Sequence, residues 1–381
     1  MEIENSKDSV ERLVQQLFPS SIEIVSDHHQ VSPAERFLTI SGKSGLRWIV
    51  PENPLKGYHV LDQWKPYGFG SGLKWQGLLS AYRHGFLSRI PGIKRVAIAG
   101  SHQQNWQDIG WDGANSVLPC IYVGTAGYKQ KVVATLSGDN DEKTRCIVKS
   151  PIGIDAAQSI LNEAEILAML ERVKPGVAPS LLYVSSSKGV SCQAFVNGDP
   201  SRRSFSAAHA DLLLSMKNGR TTSLLQHCRS FESWLSLDNT MKEEDRKLII
   251  LVLPMIADDT LLPAVLIHGD FVPWNLKTVE ASLVAIDWED AKFDGLPALD
   301  VIHFFAMQSY LFGKHLDFIE NIKHNKHVAR YLAEMDISQL YLSKLVLFYL
   351  LDAWLVRKQI EDFEHALFLK QALCKLLGSM Q

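Results

Sequence analysis

The stretch Leu266-Ile267-His268-Gly269-Asp270-Phe271-Val272-Pro273-Trp274-Asn275, followed by Leu283-Val284-Ala285-Ile286-Asp287, decides how the rest of this chain is read. An apolar run delivers the backbone into a polar loop that holds a carboxylate and, five residues later, an amide. Twelve residues beyond the amide, a second apolar run ends on another carboxylate. Short apolar runs bounded by Gly, Pro and Asn predict two strands, with Asp270, Asn275 and Asp287 at their adjoining ends. Singly, each of these residues is an ordinary turn former. Their combination at fixed offsets between two strands is what points to chemistry.

Phosphoryl transfer needs these residue types. A carboxylate must orient a hydroxyl and take its proton, and hard oxygen ligands must hold Mg2+ against the phosphates. Asp270 suits the first task; Asn275 and Asp287 suit the second. The Asp-to-Asn offset equals that of the protein-kinase catalytic loop.

Outward from this segment, the chain has 381 residues, a formal net charge of -3, 46% apolar residues and 21% charged residues. That is the balance of a globular enzyme of two or three domains. It leaves no basic footprint for nucleic acid and no Lys/Arg run for a membrane surface, so neither is expected as a partner. Cys120, Cys146, Cys192, Cys228 and Cys374 are scattered, without metal-ligand spacing or a disulfide framework. They read as buried reduced thiols, and a cytoplasmic location is expected. Met1–Glu11 is acidic and polar, unlike a secretory leader. The most apolar stretches, Leu248–Ile256 and Leu345–Val356, are shorter than the about 20 residues that span a bilayer and read as buried helices.

Three regions follow: 1–110, 111–196 and 197–381. In the first, Ser6–Leu17 has helical spacing, Phe37–Ile40, Leu46–Val50 and Ile93–Ala99 read as strands, and Leu73–Leu87 reads as an amphipathic helix after a Gly/Pro-rich stretch from Pro51 to Gly72. Trp48, Trp64 and Trp75 are expected in a core. The helix stripe of Trp75, Leu78, Leu79, Tyr82 and Phe86 needs a cover, either the chain's own lobe or an oligomer contact. In the second region, Leu118–Val123, Lys131–Leu136, Arg145–Val148, Leu181–Val184 and Ser191–Val196 are strand candidates, with a turn at Gly138–Asp141 and a helix at Ala156–Arg172. The third is mainly helical. Helices start near Ser206 and near Thr240, the latter with a capping-box pattern, and three or four more follow Pro297.

His268-Gly269-Asp270-Phe271-Val272-Pro273-Trp274-Asn275, with Ile286-Asp287-Trp288-Glu289-Asp290 and Gly295-Leu296-Pro297-Ala298-Leu299-Asp300, resembles the aminoglycoside phosphotransferase and choline kinase family. The resemblance covers roughly Val117 to the carboxyl terminus. It implies an α+β, two-lobed, protein-kinase-like fold with a small, mainly antiparallel β lobe for nucleotide and a larger helical lobe. Residues 1–110 form an additional small α+β region outside it. The resemblance also implies ATP and Mg2+ with a small-molecule hydroxyl as acceptor. It further implies a strand lysine for the α- and β-phosphates, at Lys149, held by a carboxylate of the next helix. Glu163 and Glu165 are both available, and Glu163 keeps the register of Leu167 and Leu170. Gly124 and Gly127 take the place of the phosphate-covering loop, Gln193–Val196 that of the hinge, with Phe195 near adenine. His268 and Asp300 are implied as braces of the loop, and Trp288 as packing.

Among acceptors, a sugar or glycan precursor is favoured over an amino alcohol, nucleoside or antibiotic, because no dense acidic cluster awaits a polycation after Pro297. A protein kinase is the less favoured reading, since His-Gly-Asp replaces His-Arg-Asp and no Ala-Pro-Glu follows. A non-catalytic nucleotide-binding module is the alternative of another class.

Overall fold

The computed structural model describes residues 23–25, 34–42, 45–64, 66, 69–99, 119–137, 145–237 and 241–380. The expected helix at Ser6–Leu17 and the turn at Gly138–Asp141 lie outside them. The chain divides into two compact units, Met1–Pro200 and Ser201–Gln381.

The first unit is built on one antiparallel nine-stranded sheet: β1 (Glu23–Val25), β2 (Ala34–Gly42), β3 (Gly45–Pro51), β4 (Lys94–Ala99), β5 (Cys120–Val123), β6 (Lys131–Ser137), β7 (Arg145–Pro151), β8 (Leu181–Ser185) and β9 (Val190–Ala194). The spatial order is β1-β4-β2-β3-β5-β6-β7-β9-β8. Period-two alternation gives the sheet two apolar faces. Phe37, Ile49, Ile121, Val132, Val148 and Cys192 share one core, while Leu38, Ile40, Trp48, Val50 and Cys120 share the other. The strands of the amino-terminal region therefore continue the sheet of the second region, through Trp48 opposite Tyr122 and Ile49 opposite Ile121.

Two helices cover the second face: α1 (Pro54–Asp62) and α2 (Phe69–Arg83). Helix α1 lies inside the Gly/Pro-rich stretch from Pro51 to Gly72. Pro54 falls in its first turn, where a missing N–H is harmless, and Asn53 Oδ1 caps it by accepting from the Leu55 N–H at 3.1 Å. Helix α2 starts and ends four residues before the expected Leu73–Leu87. Its stripe packs on the sheet through Trp75, Leu78, Leu79 and Tyr82, and the Tyr82 hydroxyl donates to Pro51 O at 2.6 Å. Phe86 falls beyond the helix and is half exposed. Of the three tryptophans, Trp48 is buried, whereas Trp64 sits at the edge of the aromatic cluster, 38% exposed, with its ring 5.0 Å from that of Trp48.

Helix α3 (Ala156–Val173) connects β7 to β8 and lays Ile160, Ala164, Leu167 and Leu170 against the sheet. Strands β5 to β9 with this one helix are the five strands and single helix expected of the small lobe.

In the second unit, the antiparallel hairpin Leu276–Val279 with Ser282–Ala285 and the sheet of Lys217–Thr222, Leu262–Ile267 and Lys292–Gly295 are set among helices. One of these, Glu243–Ile256, starts later than the Thr240 pattern implied. Lys242 holds the cap position without a side-chain bond, and Glu243, Glu244 and Asp245 complement the dipole of the first turn. Thr240 itself lies outside the described residues. After Pro297 there are five helices among the described residues, because Asn325 and Ser338 each cap a new start. The helix Gln339–Gln359 is longer than the apolar run Leu345–Val356. By length and composition it could cross a membrane, yet Leu342, Leu345–Leu351, Trp354 and Leu355 are buried in its own unit. Four of the five cysteines are buried as expected; Cys374 is exposed.

Candidate active site

The strand Leu262–Ile267 ends at His268, and the chain then turns through Gly269. That glycine has φ +86°, and a Cβ placed there would stand 2.4 Å from Asp290 O. Both the backbone angle and the close approach require glycine. Gly269→Ala is expected to lower stability by about 1–3 kcal/mol, read as a drop of several degrees in melting temperature. An unchanged Tm would show that the loop does not need this turn.

His268 ties the turn together. Its Nε2 donates to Ile286 O at 3.0 Å, and its Nδ1 accepts from the Asp270 N–H at 3.3 Å. The ring lies 4.5 Å from that of Trp288, which is buried and donates its Nε1–H to Ala285 O. The backbone N–H groups of His268 and Gly269 donate to the two oxygens of Asp300, at 2.8 and 3.1 Å. Burial raises the Asp300 carboxyl above its ordinary pKa, while the neighbouring His268 imidazole and these two N–H groups pull against it. The geometry is that of two braces, one on each side of the loop.

Asn275 closes the loop from its far end. Its Nδ2 donates to Asp270 O at 3.1 Å and to Asp270 Oδ2 at 2.8 Å. With the amide nitrogen committed to two acceptors, Oδ1 is the atom left for a cation. The Asn275 backbone carbonyl accepts from the Ile286 N–H at 2.8 Å, so Asp287 follows directly on this pairing. Asp287 has φ +67°, a left-handed conformation costly for a non-glycine residue and typical of functional loops. Asp270 and Asn275 are thus brought into contact, but the two expected strands lie in different sheets: Asn275 leads into a further strand, Leu276–Val279, whose hairpin partner Ser282–Ala285 precedes Asp287.

The other oxygen of Asp270 meets a residue that the sequence does not announce. Oδ1 accepts from Nε2 of His303 at 3.0 Å, and Nδ1 of His303 lies 2.9 Å from the Tyr349 hydroxyl. Burial pushes the Asp270 carboxyl up, but the bond from His303 and the nearby imidazoles of His303 and His268 outweigh this, so its pKa lies below the ordinary value. His303 sits three residues after Asp300 on the same helix, and that spacing was the one available signal.

In the first unit, Lys149 Nζ lies 2.7 and 2.6 Å from the two carboxylate oxygens of Glu163, with side-chain exposures of 5% and 1%. Glu165 is exposed. Gly124 and Gly127 lie on the β5–β6 turn. A Cβ on Gly124 would stand 2.9 Å from Lys131 O, and Gly127 has φ +153°. Arg47 of β3 donates to Thr125 Oγ1 and Val123 O at 3.3 Å, a contact to this loop absent from the sequence reading. Strand β9 ends at Ala194, so Gln193 is buried and paired within the ladder, while Phe195 and Val196 follow it. The Phe195 N–H donates to Arg145 O, and the Arg145 guanidinium lies 5.6 Å over its ring.

These features define an α+β fold of a sheet unit and a helical unit. No protein-family model and no curated protein sequence matches the chain. Solved structures that resemble it include the choline kinase LicA from Streptococcus pneumoniae, 16% identical with a TM-score of 0.48, covering 69% of this chain and 94% of that one. The macrolide 2'-phosphotransferase MphH from Brachybacterium faecium is 14% identical with a TM-score of 0.47, covering 71% and 96%. A choline/ethanolamine kinase family protein from Mesorhizobium loti is 15% identical with a TM-score of 0.44, covering 71% and 90%.

Proposed function

We propose that this chain is a small-molecule kinase that transfers the γ-phosphate of ATP to a hydroxyl. The observation that carries the proposal is Asn275 bonded to Asp270, with Asp287 following the backbone bond of Ile286 to Asn275. The donor set fits magnesium. Asn275 Oδ1 and the Asp287 carboxylate are hard oxygens, and a kinase site needs only one or two such ligands because phosphates complete the shell. Among the described residues no cluster of three His, Cys, Asp or Glu forms a dedicated metal cage. When bound, Mg2+ would neutralise charge on the β- and γ-phosphates.

The chain's own residues supply the rest. Asp270 accepts the hydroxyl proton while the acceptor oxygen bonds to the γ-phosphorus and the bond to ADP breaks. Lys149, oriented by Glu163, pairs with the α- and β-phosphates, and backbone amides of the Gly124–Gly127 turn approach phosphate oxygens. The segment after β9 is assigned to adenine. Catalysis is then positioning and electrostatics rather than covalent chemistry. ATP as donor fits a cytoplasmic enzyme.

For the acceptor we favour a sugar or glycan precursor over a polycation. The carboxylates of Asp362 and Glu364, nearest to an acidic cluster after Pro297, already pair with Arg357 and Lys314. Incubation with MgATP and a metabolite pool, followed by mass spectrometry, is expected to show one hydroxyl compound gaining a phosphate. Failure to bind nucleotide in a magnesium-dependent way would sink the enzyme reading.

A further inference from the structure

Beyond the loop itself, one buried side-chain chain reaches the base. His303, 8% exposed, stands between Asp270 and Tyr349, 3.0 Å from the carboxylate and 2.9 Å from the phenol. Tyr349 comes from the core helix Gln339–Gln359, His303 from Leu299–Leu311. A carboxylate can only accept, so the Nε2 that faces Asp270 must carry the hydrogen. The buried Tyr349 hydroxyl has Nδ1 as its hydrogen-bond partner among the described residues. A buried donor left unmade is costly, so the hydroxyl donates there. Burial also keeps this phenol protonated, its pKa being pushed up.

We propose that His303 is a positioning residue for phosphotransfer: Tyr349 locks its tautomer, and the locked Nε2–H holds the Asp270 carboxylate in the orientation that receives the acceptor proton. This rests on the reading of Asp270 as the base. Asn275 anchors one carboxylate oxygen and His303 the other, so the carboxylate is held at both ends. With only the Asn275 anchor the group can rotate about its last torsion, which is soft. A misplaced base loses transition-state contacts while nucleotide binding is kept.

The test uses the full chain, with MgATP as donor and water as the acceptor, read as phosphate release. His303→Ala is expected to lower kcat by about 10²-fold with the KM for MgATP changed by less than about threefold. His303→Gln, whose amide can donate from near the Nε2 position, is expected to recover at least about tenfold of that loss. A structural role alone would not give this split or this rescue. Tyr349→Phe is expected to cost several-fold in kcat. In parallel, 15N histidine spectra of the wild-type protein are expected to show His303 as the Nε2–H tautomer, a readout independent of turnover. An Nδ1–H tautomer, or kcat in His303→Ala within about threefold of wild type, overturns the proposal. If turnover also survives Asp270→Asn, the base reading fails with it; if Asp270→Asn abolishes turnover and His303→Ala does not, only the His303 role is lost.

Discussion

Asp270→Asn is expected to lower kcat by about 10³-fold while MgATP still binds. The change keeps the shape of the side chain and removes its ability to take a proton. It also reverses one polar end, because an amide offers a single oxygen where Asn275 and His303 each need an acceptor. Loss of the proton acceptor and misorientation of the remaining group both fall on the transition state, so the loss belongs in kcat. The phosphates and the metal are assigned to Lys149, Asn275 and Asp287, so nucleotide affinity is expected to move by less than about threefold. Steady-state kinetics and titration calorimetry with MgATP separate the two. Turnover within tenfold of wild type would remove Asp270 from the mechanism; loss of nucleotide binding in parallel would mean that the variant damages the loop.

The sequence exposed what is local. Asp270, Asn275 and Asp287 declare themselves because residue types recur at short offsets between apolar runs, and the strands on either side form as the runs imply. Glu163 was separable from Glu165 because helical periodicity decides which of two near neighbours shares a face with Leu167 and Leu170. The structure buries the first and exposes the second. What stayed hidden is non-local. His303 meets Asp270 across 33 residues, and Tyr349 meets His303 across 46, and no local pattern encodes either contact.

The amino-terminal region reads as a separate appendage for the same reason. Its bond to the small lobe is a strand pairing of Trp48 with Tyr122 that composition and period cannot reveal. Helix Pro54–Asp62 was missed for a different cause. Pro and Gly suppress a helix reading, although Pro in the first turn is favourable and Gly57 has Tyr82 Oη 2.3 Å from where its Cβ would be. There glycine serves packing, not a turn.

Glu163→Ala is expected to destabilise the first unit by about 3–5 kcal/mol, the usual consequence of removing one partner from a buried ion pair. Both side chains are nearly sealed from water, at 5% and 1% exposure, so solvent screening offers little relief. The exposed neighbour Glu165 is the internal control, and Glu165→Ala is expected to change stability by less than about 0.5 kcal/mol. Replacing both partners, as Lys149→Met with Glu163→Leu, is expected to regain most of the lost stability, because two apolar groups leave no buried charge. That double variant would still fail to hold nucleotide phosphates. Urea unfolding of the three variants, each with and without MgATP, tests stability and function together. Saturating MgATP is expected to restore part of the stability of Glu163→Ala, because phosphates supply the missing negative charge beside Lys149, and none of the stability of the double variant. Equal losses for Glu163→Ala and Glu165→Ala would mean that the pair does not hold this helix to its strand. Nucleotide rescue of the double variant would mean that Lys149 is not what the phosphates meet.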